Sequence, residues 1–486
     1  MEQLVAEFIA FLPLLGFSWP VFWALHFVLM PMAVGHVLLH KRMPQATFGW
    51  LVLIVFAPVI GAVTYCVFGV NRIYRRAQRL GRGQVRDQAA LTDISDEAAL
   101  ESLDPKWLKI AEAAGKLSDL PLTQGNAIEH FHTGDELFPA MLCAIDEAQD
   151  SIYLSSYTFD LAGIGKQFVE SLARAKKRGV DVRVLVDSIG DRVISHAGVI
   201  DKLQSMGIDA LHFLPPSVWP PMIHLNLRNH RKILIVDKQQ AFTGGINITQ
   251  KNCSQNGNEP SNDDHFRFTG PVVTQLLAVF AEDWAFAAST NNDISLPEDL
   301  PSTGQVPCRV IPDGPDHPKA QILMLMTAAV GQASQQVTIF SPYFLPIQPL
   351  TGAMCASALR GVKVRVLIPK QSNYAMVDWA CRHYLPDLLH AGVEIYAIDG
   401  PLMHSKLFVV DEEYAMVGST NIDPRSLQLN FELMVEVYDH GFAKQMQEHA
   451  EKQFAQSERI TLQSLAELSM PIRLRNALAG LAQPYL

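Results

Sequence analysis

Cysteine is scarce in this chain and, where it occurs, isolated. Cys66, Cys143, Cys253, Cys308, Cys355 and Cys381 form no C-x-x-C pair, which speaks against a zinc site and against a disulfide framework. They are expected as buried free thiols in a reducing compartment. Charge is scarce too. Only 18% of the 486 residues are charged, 49% are apolar, and the formal net charge is −10. An acidic chain is a poor non-specific nucleic-acid binder, because that binding rests on neutralising phosphates. So apolar a composition points to a membrane-embedded part.

One long uncharged run is present. Residues 48–70 read FGWLVLIVFAPVIGAVTYCVFGV, and a helix of that length crosses a bilayer core of roughly 30 Å. Pro58 and Gly61 are tolerable inside a membrane helix. Residues 19–39 form a second candidate, with His26, Pro31 and His36 inside it. Residues 4–17 carry Glu7 and are short, which leaves an interfacial helix or the start of the first span. The start MEQLVAEF is acidic, against a cleavable signal peptide. Lys41 and Arg42 stand between the spans, whereas Arg72, Arg75, Arg76, Arg79, Arg82 and Arg86 follow the second. Positive charge marks the cytoplasmic side. The expectation is a membrane region over residues 1–70 with two spans and everything after Val70 in the cytoplasm. A basic, then polar connector follows over residues 71–125.

The remainder repeats itself. SIYLSSYTF (151–159) resembles QVTIFSPYF (336–344), RGVDVRVLVD (178–187) matches RGVKVRVLIP (360–369), and MGIDALHF (206–213) parallels AGVEIYAI (391–398). HRKILIVD (230–237) matches HSKLFVVD (404–411), so the order is the same in both copies. Each copy alternates short β-branched runs with helical stretches, which predicts an α/β fold with mostly parallel sheets flanked by helices. The halves are expected over residues 126–295 and 305–455, joined by the linker PEDLPSTGQVP (297–307), with a tail over 456–486.

Both halves carry H-x-K-x4-D-x6-G-x-x-N: His230, Lys232, Asp237, Gly244, Asn247, and His404, Lys406, Asp411, Gly418, Asn421, with the histidine, lysine and aspartate of each copy expected as catalytic residues. In a strand, residues two apart share a face, so each histidine stands beside its lysine. The types suit phosphodiester chemistry. A neutral imidazole attacks phosphorus and a protonated one serves the leaving alkoxide. Lysines and asparagines stabilise charge on the non-bridging oxygens. One copy alone says little; two with identical spacing say much more.

HRKILIVDKQQAFTGGIN and HSKLFVVDEEYAMVGSTN resemble the two HKD motifs of the phospholipase D superfamily. The likeness covers roughly residues 126–455. It implies two phospholipase D-like halves packed around one site, a phosphohistidine intermediate, and neither metal nor other cofactor. Within that superfamily the chain is most similar to bacterial cardiolipin synthases, through APVIGAVTYCVFG, LRNHRK and NIDPRSLQLNFE. That implies condensation of two phosphatidylglycerol molecules to cardiolipin with release of glycerol, by a multi-pass enzyme of the bacterial inner membrane whose partners are lipids and not nucleic acid. By resemblance one histidine is the nucleophile and the other the acid–base; His230 is assigned the attack, with the reverse order open. Glu432 stands where the family has a histidine-orienting carboxylate, and Asp263 is its counterpart in the first half. Ser419 follows Gly418, whereas Gly245 follows Gly244. Asn247, Asn421 and Ser419 are therefore the expected phosphate binders, unequally shared.

Two further segments invite a lipid reading. The loop LPPSVWPPM (214–222), with Trp219 and Met222, has no counterpart in the second half, and the tail MPIRLRNALAGLAQPYL sets Arg473 and Arg475 beside apolar residues. Either dips into a bilayer or packs as ordinary structure. His130, His132, His212, His224 and His265 lack a repeated partner pattern and read as ordinary polar residues, with His265 near Asp263 bordering the site. A hydrolytic phospholipase D, another phosphatidyltransferase, and a nuclease of the same superfamily are the rival readings.

Overall fold

The computed structural model describes residues 19–40, 44–70, 99–195, 198–215, 227–254, 259–290, 293–297, 300–315 and 320–483. The chain divides into two units, residues 1–72 with 216–225, and residues 73–215 with 226–486. The segment 4–17, the residues Lys41 and Arg42, the arginines of 72–86, Trp219, Met222 and His224 lie outside the described residues.

In the first unit α1 (Trp19–His40) runs unbroken through Pro31, and is long and apolar enough to cross a membrane. The second run is not one helix. α2 (Pro44–Phe56) stops, residues 57–59 turn, and the chain resumes as α3 (Ile60–Thr64) with a π-helical turn over Tyr65–Gly69. Pro58 explains the break, since proline offers no N–H and clashes with the preceding turn. Gly61 fits because a Cβ there would meet the Leu53 carbonyl at 2.1 Å. Ala33, Val37, Ile54, Ala62 and Tyr65 are buried together, while Phe27, Leu39, Phe48 and Phe56 face outward.

Among the described residues of the second unit, a packed helix stands where a mere connector was expected. α4 (Pro105–Ser118) buries Trp107, Ile110, Ala111 and Ala114 in the core of the second half. The Trp107 ring stacks on Tyr414 with centroids 5.0 Å apart.

Each half then supplies seven strands. The first has β1 (Thr123–Phe131), β2 (Ser151–Ser156), β3 (Asp181–Asp187), β4 (Asp209–Phe213), β5 (Ile233–Val236), β6 (Gln240–Gly244) and β7 (His265–Thr269). The second has β8 (Val306–Asp313), β9 (Gln336–Phe340), β10 (Lys363–Pro369), β11 (Glu394–Ile398), β12 (Leu407–Val410), β13 (Tyr414–Gly418) and β14 (Glu432–Val437), with β15 (Ser457–Ile460) added at its edge. Spatial order is 1-7-6-5-2-3-4 in the first half and 8-14-13-12-9-10-11-15 in the second, and β1 joins β8 antiparallel to make one sheet. The duplication read from the sequence is thus a duplication of topology.

The sheet is mixed, and here the expectation of mostly parallel strands needs correction. Four pairings are parallel, β2–β3, β3–β4, β9–β10 and β10–β11. The motif strands instead sit in antiparallel hairpins, β5–β6 and β12–β13, closed by β7 and β14. Short connections permit only antiparallel neighbours. Between Val236 and Gln240 only three residues turn the chain, with Asp237 and Lys238 at φ 51 and 56; Asp411 and Glu412 repeat this at 53 and 55.

Alternation along the motif strands fixes their position. Ile233 and Ile235 enter one core and Leu234 and Val236 another; Leu407 and Val409 join the first while Phe408 and Val410 face a third. The shared core holds α5 (Val272–Ala288), buried nearly all round. A strand covered on both faces reads as an unbroken apolar run, hence ILIV and LFVV. On the second half's periphery lie α6 (Ala375–His390) and, within the shared core, α7 (His440–Ala455). The tail forms α8 (Met470–Leu481), which packs on α6: Tyr384 donates to the Gly480 carbonyl at 2.9 Å, and Arg475 lies 4.3 Å over the Trp379 ring. Met470, Leu474, Leu478 and Leu481 remain exposed on it.

Candidate active site

His230 and Lys232 precede β5, and His404 and Lys406 precede β12, so the two hairpins deliver equivalent side chains. What joins them is a backbone exchange between halves. The His230 N–H donates to the Phe431 carbonyl at 2.9 Å, and the Phe431 N–H returns to the Arg228 carbonyl at 2.8 Å. Likewise the His404 N–H donates to Asn262 O at 2.7 Å, and the Asn262 N–H to Leu402 O at 3.0 Å. Each motif thus lies beside the segment carrying the other half's carboxylate.

The side chains follow that exchange. His230 Nδ1 lies 3.1 Å from Glu432 Oε2 and 3.1 Å from the Ser419 carbonyl. His404 Nδ1 lies 2.7 Å from Asp263 Oδ2. Glu432 of the second half therefore serves the first half's histidine, and Asp263 of the first half serves the second's. Nδ1 facing only acceptors carries the proton, which leaves Nε2 of His230 with a free lone pair. Both rings line one cavity of about 510 Å³, together with Tyr157, Arg228, Asn247, Asp263, Tyr343, Asn421, Asp423 and Arg425.

Burial governs the electrostatics. It lowers His230, against the opposing pull of Glu432. It lowers His404 to about 4, helped by the Lys406 charge, whose Nζ is 2.7 Å from Nδ1. Lys232 is brought down to about 7 and Lys406 to about 8, again by burial first. Burial alone would raise Glu432, but the His230 charge and hydrogen bond hold it below its ordinary value. Neither lysine is among the residues lining the cavity: Lys232 Nζ donates to the His230 carbonyl at 2.6 Å and Lys406 Nζ stands against His404, so each lies behind its own histidine.

Not every expected residue reaches the cavity. Asp237 and Asp411 sit at the far ends of their strands, in the hairpin turns. Asp237 accepts from the N–H groups of Gln149, Asp150 and Ser151 at 2.7–3.2 Å. Asp411 accepts from those of Ser334, Gln335 and Gln336 at 2.7 Å and from Lys106 at 2.6 Å. These aspartates fasten turns to neighbouring loops, so the catalytic placement expected for them is corrected. Ser419 is fully buried, and its hydroxyl donates to Glu432 at 2.5 Å, away from the cavity lining. At the equivalent Gly245 a Cβ would lie 2.0 Å from Asp263 Oδ1, so the carboxylate occupies the space a serine would need. Asn247 and Asn421 do line the cavity; Thr158 N–H, at 3.3 Å, holds the Asn247 amide oxygen. His265 is buried and lowered to about 3 by burial, and its Nδ1 accepts from the Ile246 N–H at 3.3 Å.

Tyr157 and Tyr343 went unread in the sequence, and they are not repeat equivalents: in the aligned copies Tyr157 faces Pro342 and Tyr343 faces Thr158. Their rings stand edge-on to His230 and His404, with centroids 5.3 and 6.3 Å away. Neither they nor Arg228, which has no second-half equivalent, left a signal in the alignment of the two copies.

Comparison with known proteins bears on this geometry. A family described as "Cardiolipin synthase, PLD-like domain" matches residues 141–284 and 326–454. The chain belongs to that family. A second, described as "Phospholipase_D-nuclease N-terminal", matches residues 28–69 of this cardiolipin synthase family member. The chain is 30% identical to "Cardiolipin synthase" of Clostridium perfringens, over 92% of this chain and 96% of the relative. It is 31% identical to "Cardiolipin synthase A" of Pseudomonas syringae pv. syringae, over 93% and 95%. In fold it is similar to a crystal structure of phosphatidylserine synthase from Haemophilus influenzae, with a TM-score of 0.60 and 14% identity, covering 78% of this chain and all of that one.

Proposed function

We propose that this chain is a cardiolipin synthase acting on membrane phospholipid, joining two phosphatidylglycerol molecules into cardiolipin and glycerol. The observation that carries the reading is the pair of imidazoles facing one cavity, each held at Nδ1 by the other half's carboxylate. His230 Nε2 attacks phosphorus, and His404 donates its proton to the departing glycerol oxygen. A phosphatidyl–histidine remains. His404 then takes the proton from the hydroxyl of the second phosphatidylglycerol, whose oxygen attacks phosphorus and expels His230. Lys232, Lys406, Asn247 and Asn421 stabilise the non-bridging oxygens. The shorter carboxylate contact, 2.7 against 3.1 Å, supports His404 as the ring that becomes imidazolium. A substrate phosphate drawing the Lys406 charge to itself lifts what holds His404 down.

One membrane-length helix and the family support membrane association. The arginines after residue 70 favour a cytoplasmic site, and the exposed apolar stripe of α8 beside Arg473 suits an anionic bilayer surface.

The purified full-length protein is incubated with phosphatidylglycerol vesicles. Cardiolipin and glycerol are expected in equal amounts, and neither from His230→Ala or His404→Ala. Phosphatidic acid instead would make the enzyme a hydrolase, and DNA cleavage in a parallel reaction would make it a nuclease. Acid-quenched peptide mass spectrometry locates the adduct: residue 230 supports the stated order, residue 404 reverses it.

A further inference from the structure

His130 and His132, treated as ordinary in the sequence, gather with two residues the sequence did not flag. His130 lies in β1 and His132 just after it, Asp264 directly precedes β7, and His449 projects from α7 of the second half. His130 Nε2 is 2.7 Å from Asp264 Oδ1, His132 Nδ1 3.0 Å and His449 Nε2 3.3 Å from the same oxygen. One ligand-capable atom from each of the four lies within 4.8 Å of all the others.

The first two contacts are hydrogen bonds. The third is not: His449 Nε2 is buried without a hydrogen-bond partner, and so is Asp264 Oδ2. Buried polar atoms are nearly always satisfied, so histidines merely solvating a carboxylate leave these two atoms unexplained. A cation at the centre accounts for the convergence. Four ligands at about 2.0–2.1 Å in a tetrahedron stand ~3.3 Å from one another; the three separations from Oδ1 are 2.7–3.3 Å, and the ring nitrogens, within 4.8 Å of one another, would draw in on binding. Three imidazoles and one carboxylate suit zinc and its neighbours in hardness. A cavity of about 610 Å³ lined by Glu259, Asp399 and Glu448 opens onto the cluster and gives an ion a way in.

We propose that His130, His132, Asp264 and His449 bind a divalent transition metal of the zinc class, clamping α7 of the second half to β1 and β7 of the first. The site is structural and stands outside the phosphoryl-transfer chemistry. It bears on that chemistry through one link. The Asp264 N–H donates to Asp263 Oδ1 at 2.9 Å, and Asp263 is the carboxylate on His404. A metal that fixes Asp264 thereby fixes the partner of a catalytic ring.

The test uses untagged full-length protein in detergent, stripped with chelator and reloaded with Zn²⁺ or Co²⁺. One zinc per chain is expected, and the cobalt form should show the visible absorption of a tetrahedral nitrogen–oxygen site. His449→Ala and His132→Ala should each reduce both signals to background, whereas the His230→Ala/His404→Ala double variant should keep them. Should His449→Ala fail to fold, His132→Ala at the strand end carries the comparison. Background zinc and cobalt signals in the parent protein, or full signals in the folded His132→Ala variant, would overturn the proposal.

Discussion

At the scale of single residues, the crossed pairing makes a specific demand. Asp263→Asn should cripple the second half's histidine and Glu432→Gln the first half's, each lowering kcat by roughly 10²–10⁴-fold while KM for phosphatidylglycerol stays near the parent value. Gly245→Ala should behave like Asp263→Asn, because the new methyl occupies the position of Asp263 Oδ1. Full activity in Gly245→Ala would show that Asp263 need not hold its place. The lysines give a pH dependence. With Lys232 losing its proton at about 7 and Lys406 at about 8 in the empty site, kcat/KM should fall as pH rises through that window. It should fall again on the acid side as the nucleophile His230, itself held below its ordinary value by burial, becomes protonated. The same groups cost stability. An unfolded lysine stays charged up to its ordinary value near 10.5, so the penalty is absent above that and complete below about 7. Lys232→Met should therefore be inactive yet melt higher than the parent below pH 7, and an unchanged melting temperature there would count against a buried charge. The histidines, lysines and asparagines were legible because their spacing recurs. The partner of each histidine was legible only as a residue type, since which half it serves depends on a crossing that no linear spacing encodes.

At the scale of elements, the aspartate of each motif belongs to a hairpin. Asp237 and Asp411 adopt positive φ and collect three backbone N–H groups apiece. Aspartate tolerates that conformation and caps its neighbours at once. Asp237→Ala should thus lower the free energy of unfolding by about 1–3 kcal/mol, through the loss of charge-assisted hydrogen bonds, and leave kcat of the folded fraction within a factor of about two to three. A thousandfold loss of kcat in a protein that still melts like the parent would return the aspartate to the chemistry. The fixed spacing of H-x-K-x4-D measures the length of a buried strand, with the chemistry at one end and the turn at the other. That is why the sequence suggested a triad where the fold builds a rod. Strand direction was misread for a related reason: apolar runs of four residues look alike in parallel and antiparallel sheets, and only the three-residue connections distinguish them. The break at Pro58 was visible as a proline, but whether a neighbouring helix restores the lost hydrogen bond is settled by packing.

At the scale of the whole molecule, the duplication is a division of labour. Neither half contains a complete site, because His230 needs Glu432 and His404 needs Asp263. Neither half contains a complete core, because α5 and α7 bury their faces in one cluster drawn from both. Sequence repeats reveal that two equivalent units exist, and they do not reveal that each is unfinished. A chain cut within the 297–307 linker puts this to the test. The two pieces expressed separately should expose the shared apolar core, aggregate or bind a hydrophobic dye, and form no cardiolipin. Co-expressed, they should reassociate through the β1–β8 pairing and the two backbone exchanges and recover product formation. Mutating one piece and leaving the other intact sharpens the result. A first piece with Asp263→Asn joined to a normal second piece should lose activity although the second piece's own His404 is intact. Retained activity there would mean that each half orients its own histidine, and the crossed arrangement would have to be given up.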